Sequence, residues 1–203
     1  MRLIIITTEK FFDGEAEAVN LLFENGMAIL HFRKPFASQD ETEKFIKLIN
    51  RDFHSLIVLH DHYELSDLYN LKGIHLNSRN QVEYPPSGDG KRGFSMSCSR
   101  HSLEDVTASR FYDYVFLSPV FDSISKVGYK QAFTPQQLIE AKERNIINEN
   151  VIALGGITAE NIPLAHRYGF GGVAVLGALW LDFAGDRNVN ELLKRFYELK
   201  SIV

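Results

Sequence analysis

Eight short runs rich in β-branched and other apolar residues punctuate this chain: Leu3–Ile6, Ala28–Phe32, Leu56–Leu59, Gly73–Leu76, Gly93–Met96, Tyr114–Leu117, Val151–Leu154 and Val173–Leu176. They are near-continuously apolar rather than alternating, the pattern of parallel strands covered by helices. Helical patterns stand between most of them. Asp13 to Asn25 is amphipathic and stops at Asn25-Gly26, a C-terminal signal. Ser38 and Glu41 form a capping box ahead of an apolar face of Phe45, Ile46 and Ile49. Ser102 caps a short helix carrying Leu103 and Val106. Thr134-Pro135-Gln136-Gln137 joins a cap to a proline at the first helical position. The last helix sets Val189, Leu192, Leu193, Phe196 and Leu199 on one stripe. Strand–helix alternation repeated eight times predicts α/β architecture, a single-domain (β/α)8 TIM barrel spanning residues 1–203, near the lower size limit of that fold.

Composition narrows the function without naming it. The chain of 203 residues is 45% hydrophobic and 24% charged, as in an ordinary globule with one large core. A net charge of −4 with no basic run argues against nucleic acid or an anionic membrane as partner. No apolar stretch reaches the length of a membrane span, and the first residues carry too short an apolar run for a secretory signal. Cys98, the one cysteine, excludes an internal disulfide and fits a reducing, cytoplasmic setting; it reads as a small core or loop residue rather than a nucleophile. The Pro85-Pro86-Ser87-Gly88 cluster predicts a surface loop between strands four and five.

In such a barrel chemistry belongs at the C-terminal strand ends. There the chain places His31-Phe32-Arg33-Lys34, His60-Asp61-His62, Asn77-Ser78-Arg79-Asn80, Ser97 to His101, and Ser118 to Lys126. Strands seven and eight end in Gly155-Gly156 and Gly177, where backbone N–H groups can approach a ligand, and Thr158 or Asn161 is positioned to cap the helix that follows. A mouth of cations, hydroxyls and glycine N–H groups suits a phosphorylated small molecule. His60-x-His62 has the same-face spacing of a strand metal site, and a metal-dependent hydrolase built on it is an outside alternative. His75, inside an apolar strand, reads as a hydrogen-bonded core residue.

Taken in order, these strand ends resemble the thiamin phosphate synthase and thiazole tautomerase family over nearly the whole chain. The family's Q-F-R-E-K is matched by His31-Phe32-Arg33-Lys34-Pro35, its N-D by His60-Asp61, and its G-V-H-L-G-Q-x-D by Gly73 through Asn80. Its S-x-H-[ST] is matched by Ser99 to Ser102, and its D-Y-V-x-x-G-P-[IV]-[FY]-x-T-x-T-K by Asp113 through Lys126. The A-[IL]-G-G-I-T-x-x-N pattern is matched by Ala153 through Asn161.

The resemblance implies a transferase of thiamin biosynthesis that joins hydroxymethylpyrimidine diphosphate to thiazole phosphate. Diphosphate leaves first, and the thiazole nitrogen attacks a resonance-stabilised pyrimidine carbocation. Carried over position by position, Arg33, Ser99 and Lys126 are the catalytic residues. His31, His60, Ser123 and Ser125 bind substrate, while Gly155, Gly156 and the backbone at Leu176-Gly177 hold the thiazole phosphate. Asp61 and Asn80 are the implied Mg²⁺ ligands. The partners are thus phosphorylated small molecules, and the resemblance allows a homodimer. The departures fall on the diphosphate–Mg²⁺ side. Asn80 stands for a second aspartate, Ser78 for glutamine, Pro35 for the motif lysine with only Lys34 beside it, His60 for asparagine, and Ser123 and Ser125 for threonines. A thiazole tautomerase, an isomerase that shares the phosphate cradle and needs no diphosphate metal, is the alternative enzyme; its base would come from His31, His60 or His62. A non-catalytic binder of thiazole phosphate or thiamin phosphate is the other alternative.

Overall fold

The computed structural model describes residues 1–77, 93–122 and 131–203. The eight strands are β1 (Arg2–Ile6), β2 (Leu30–Phe32), β3 (Ile57–Leu59), β4 (Gly73–Leu76), β5 (Ser95–Arg100), β6 (Tyr114–Leu117), β7 (Val151–Leu154) and β8 (Gly172–Val175). All pair in parallel with their sequence neighbours, and β8 closes on β1 through Arg2↔Gly172 to Ile5↔Val175. The expected (β/α)8 barrel is therefore the observed one. The helices are α1 (Glu15–Glu24), α2 (Gln39–Leu48), α3 (Glu64–Leu68), α4 (Leu103–Thr107), α5 (Pro135–Glu143), α6 (Ile162–Arg167), α7 (Gly177–Trp180), α8 (Phe183–Asp186) and α9 (Val189–Ile202).

Three of the predicted caps, at Ser38, Ser102 and Thr134, are where the sequence put them. Ser38 and Glu41 bond each other reciprocally at the start of α2, and Thr134 and Gln137 do the same at α5, with Pro135 in its first turn. Ser102 Oγ accepts from Asp105 N at 3.1 Å before α4, and Asn188 caps α9 in the same way. On α9 the buried stripe is Leu192, Phe196 and Leu199, whereas Val189 is exposed.

Side chains alternate between two cores. Outward-facing Ile5, Leu30, Leu59, Cys98, Val115, Leu117, Val173 and Val175 pack under the helices. Inside the barrel Ile4, Ile6, Tyr114, Phe116, Ile152 and Ala174 form a smaller apolar cluster. The remaining interior is polar: His31, His75 and Ser97 are fully enclosed. This explains why β5 runs through Arg100 instead of ending at Met96 as the sequence suggested. Small hydroxyl residues read as loop from their polarity, but Ser97 and Ser99 sit on the strand and bond His75 at 2.8 Å each. Burying a hydroxyl costs little once it is hydrogen-bonded. Among the described residues no helix is long and apolar enough to cross a membrane.

Candidate active site at the C-terminal mouth

The loop after β1 meets the end of β2. Arg33 N donates to Thr7 Oγ1 at 2.9 Å, stitching the two strand ends together, and Arg33 Nη1 pairs with Glu9 Oε1 at 2.8 Å. Arg33 thus stands at the mouth held by a carboxylate that sequence reasoning missed, because nothing local links Glu9 to a residue two elements away. Lys34 does not join it. Its ammonium is buried against both oxygens of Glu15 at 2.6 and 2.7 Å and also donates to Lys10 O. The expectation that Lys34 stands in for the motif lysine is corrected: the residue is spent in an internal ion pair under α1. Burial pushes the Glu15 carboxyl up and the Lys34 ammonium down, each against the pull of the other.

Three imidazoles occupy the polar side of the barrel interior. His31 Nδ1 lies 2.9 Å from His60 Nε2, and His31 Nε2 lies 2.7 Å from the Tyr114 hydroxyl. His75 is bracketed by Ser97 and Ser99, as expected of a hydrogen-bonded core residue. Burial holds His75 at about 3, with the charges of Arg33 and Arg100 adding to the effect, and drives His31 well below its ordinary value. Tyr114 is raised to about 12 and Cys98 to about 11, both first by burial, which leaves Cys98 inert as anticipated. His31 is enclosed and engaged on both nitrogens, by His60 and by Tyr114.

The pairing of His60 with His62 is not realised. β3 ends at Leu59, His62 turns into the left-handed region at φ 55, and its Nε2 bonds Ala37 O at 2.9 Å. Period-two geometry holds only while the chain stays extended. Asp61 follows His60 at the rim and is half-buried. Ser99 lies on β5 facing His75, while Arg100 is turned away to Ser109 Oγ at 2.7 Å.

The glycine turn after β7 is built as a tight approach. Gly155 and Gly156 have φ of 95 and 65. A Cβ on Gly156 would overlap the Asp122 carbonyl oxygen and come within 2.8 Å of the Phe121 carbonyl group. Only glycine meets both demands. Asn161 precedes α6, but its side chain does not cap that helix. Its Nδ2 donates to Gly156 O at 2.7 Å and its Oδ1 accepts from Thr158 N at 2.9 Å, so it braces the turn instead. Gly156→Ala is expected to cost about 2–4 kcal/mol, from left-handed strain plus overpacking; a urea midpoint within error of the parent's would refute this steric account. Leu176-Gly177 follows β8, with Gly177 opening α7, and Trp180 Nε1 ties that short helix to Ile6 O at 2.8 Å.

Arg33, Asp61, Ser99, Gly155, Gly156 and Gly177 thus stand at or just beyond the C-terminal ends of β2, β3, β5, β7 and β8, at one face of the barrel. Asn80, Ser123, Ser125 and Lys126 lie outside the described residues.

Residues 3–179 match the family described as thiamine monophosphate synthase. A thiamine-phosphate synthase of Caldicellulosiruptor saccharolyticus is 24% identical over 204 residues, covering 96% of this chain and 88% of that protein. A crystal structure described as thiamine phosphate pyrophosphorylase from Bacteroides thetaiotaomicron is 40% identical, covers 100% of this chain and 97% of its own, and superposes with a TM-score of 0.86. A thiamine phosphate pyrophosphorylase from Pyrococcus furiosus, 22% identical over 98% of this chain and 96% of that one, shares the fold with a TM-score of 0.69. With strand-end motifs, barrel and family match in agreement, the chain belongs to the thiamine monophosphate synthase family.

Proposed function

We propose that this protein is a thiamin phosphate synthase, joining hydroxymethylpyrimidine diphosphate to thiazole phosphate with release of diphosphate. The observation that carries the reading is the ordered set Arg33, Asp61, Ser99 and Gly155-Gly156 at the ends of β2, β3, β5 and β7 on one barrel face. The matched relatives are synthases by name, and no observation favours the tautomerase or the binding-only alternative.

A dissociative substitution asks the protein for positioning and for neutralisation of the leaving group. Arg33 supplies a cation at the mouth, and Lys126, placed by its motif, supplies another. Ser99, Ser123 and Ser125 offer hydroxyls to the pyrimidine and diphosphate, while His60 offers an imidazole at the rim. Glycine backbone at 155–156 and 177 takes the thiazole phosphate. Without a metal ion the imidazoles beneath the site add no opposing charge, since burial keeps His31 and His75 neutral under a cationic intermediate. The oxygen donor at Asp61, beside substrate phosphates, fits a hard cation bound mainly through phosphate, and Asn80 adds a neutral carbonyl. Mg²⁺ bound there would neutralise charge on the departing diphosphate. Cytoplasmic location suits this use of small phosphorylated metabolites.

The test is incubation with both substrates and Mg²⁺, with thiamin phosphate measured by chromatography; absence of product at stoichiometric enzyme overturns the proposal. Lys126→Ala is expected to lower kcat/KM about 10- to 150-fold, the equivalent of one charge-assisted contact, while thiazole-phosphate affinity stays unchanged. Equal losses for both ligands would contradict that division of the site.

A further inference from the structure

The interior histidines are more than the proposed reaction requires. His31 on β2, His60 just beyond β3 and His75 on β4 stand on adjacent strands, and one ring nitrogen from each lies within 4.8 Å of the others. We propose that they form a site for one divalent transition-metal ion of the zinc or cobalt class, bound through His31 Nδ1, His60 Nε2 and His75 Nε2.

Proton accounting selects these atoms. The Ser97 hydroxyl has one proton and donates it to Ile74 O at 3.4 Å. In the tautomer that frees these atoms Ser97 accepts from His75 Nδ1–H, which leaves the lone pair of His75 on Nε2, facing Ser99. In the same tautomer set His31 Nε2–H donates to the Tyr114 oxygen, leaving a lone pair on Nδ1 that receives the Nε2–H of His60. If the His60 proton shifts to Nδ1, a metal ion replaces it between the two rings with no net proton release. Two of the three rings are then held by the hydrogen bond of their other nitrogen, to Tyr114 and to Ser97, the arrangement that orients imidazole ligands in metal sites.

The distances ask for a modest adjustment. Zinc–nitrogen bonds near 2.0–2.1 Å in a tetrahedral set place ligand nitrogens about 3.3 Å apart. The His31–His60 pair must open from 2.9 Å, and His60 must turn off its stack on His75, where the ring centroids are now 4.3 Å apart. A set of three imidazoles selects zinc, cobalt or nickel over Mg²⁺, which requires oxygen. The site is thus distinct from the cation placed at Asp61. Three protein ligands leave the fourth position to water or a substrate atom.

Metal-free protein titrated with Co²⁺ alone, without substrates, provides the test. The expected result is one cobalt per chain with the visible bands of a nitrogen-ligated, low-coordinate ion, bleached by Zn²⁺. His31→Gln and His60→Asn are each expected to weaken binding on the order of a hundredfold, and Tyr114→Phe, which keeps every ligand, by about tenfold or more. Circular dichroism checks that each variant is folded, and Tyr114→Phe carries the test if either histidine variant is not. The proposal is overturned by the absence of stoichiometric binding at millimolar cobalt. It is equally overturned by binding that all three variants retain, or by binding that Asp61→Asn abolishes. None of these readouts depends on synthase turnover.

Discussion

Between pH 6.5 and 4.5 the protein is expected to lose about 2 kcal/mol of folding stability in chelator-containing buffer through His75, with His31 adding to the loss in the same direction. Burial, with help from the charges of Arg33 and Arg100, holds His75 at about 3, and burial followed by the proximity of His75 drives His31 well below the usual imidazole range. In the unfolded chain both rings take up a proton near pH 6.5; in the folded chain they stay neutral. Below that pH the unfolded state therefore binds more protons. The stabilisation is fully present above pH 6.5 and is lost as pH falls toward the folded values, at about 1.4 kcal/mol per pH unit for His75, and His31 steepens the loss. Both rings are 0% exposed, so solvent screening does not soften the effect. Urea denaturation at pH 7, 5.5 and 4.5 reads the slope directly. His75→Gln is expected to flatten it by about 1.4 kcal/mol per pH unit even though the variant is weaker at pH 7. A flat profile across this interval would show that the rings protonate in place.

Strand count, parallel order and most helix starts were legible because they depend on local chemistry. An apolar run of a few β-branched residues has few other fates, and a serine or threonine three residues before glutamate or glutamine satisfies orphan N–H groups wherever it occurs. What escaped notice depends on who sits across the barrel. Ser97 and Ser99 look like loop until His75 is seen to bond both. Asn161 sits at the helix start but braces Gly156, because the turn beside it offers a carbonyl at 2.7 Å. Arg33 and Lys34 are adjacent and equally cationic on paper. Both lie just beyond β2, where the chain sends one to Glu9 at the mouth and the other to Glu15 in the first turn of α1. Of the candidate site, the strand-end positions of Arg33, Asp61, Ser99 and the glycines were readable from spacing. The interior link from Tyr114 through His31 to His60 was not, since its members lie 83 and 29 residues from His31.

Glu15→Ala is expected to destabilise the protein by about 3–5 kcal/mol, because it strands the Lys34 ammonium in a site from which water is excluded. Both side chains of the pair are 1% exposed, and the lysine would keep Lys10 O at 2.9 Å, Thr8 Oγ1 at 3.2 Å and the Phe11 ring at 4.8 Å, none of them a counter-charge. The pair itself is not a large net source of stability, since desolvating two charges offsets most of their attraction. The double replacement Glu15→Leu with Lys34→Met is therefore expected to lie within about 1 kcal/mol of the parent, and a double-mutant cycle by urea denaturation separates the two statements. A loss below about 1 kcal/mol for Glu15→Ala would mean that Lys34 escapes to solvent, against its burial here. The pair also has a consequence at the mouth. Lys34 holds the β1–α1 loop by its Lys10 carbonyl, and the same loop presents Glu9 to Arg33. At temperatures where Glu15→Ala remains folded, looser tethering of that loop should raise KM for the diphosphate substrate more than it lowers kcat. The reverse pattern would place the effect of Glu15 elsewhere than on the seating of Arg33.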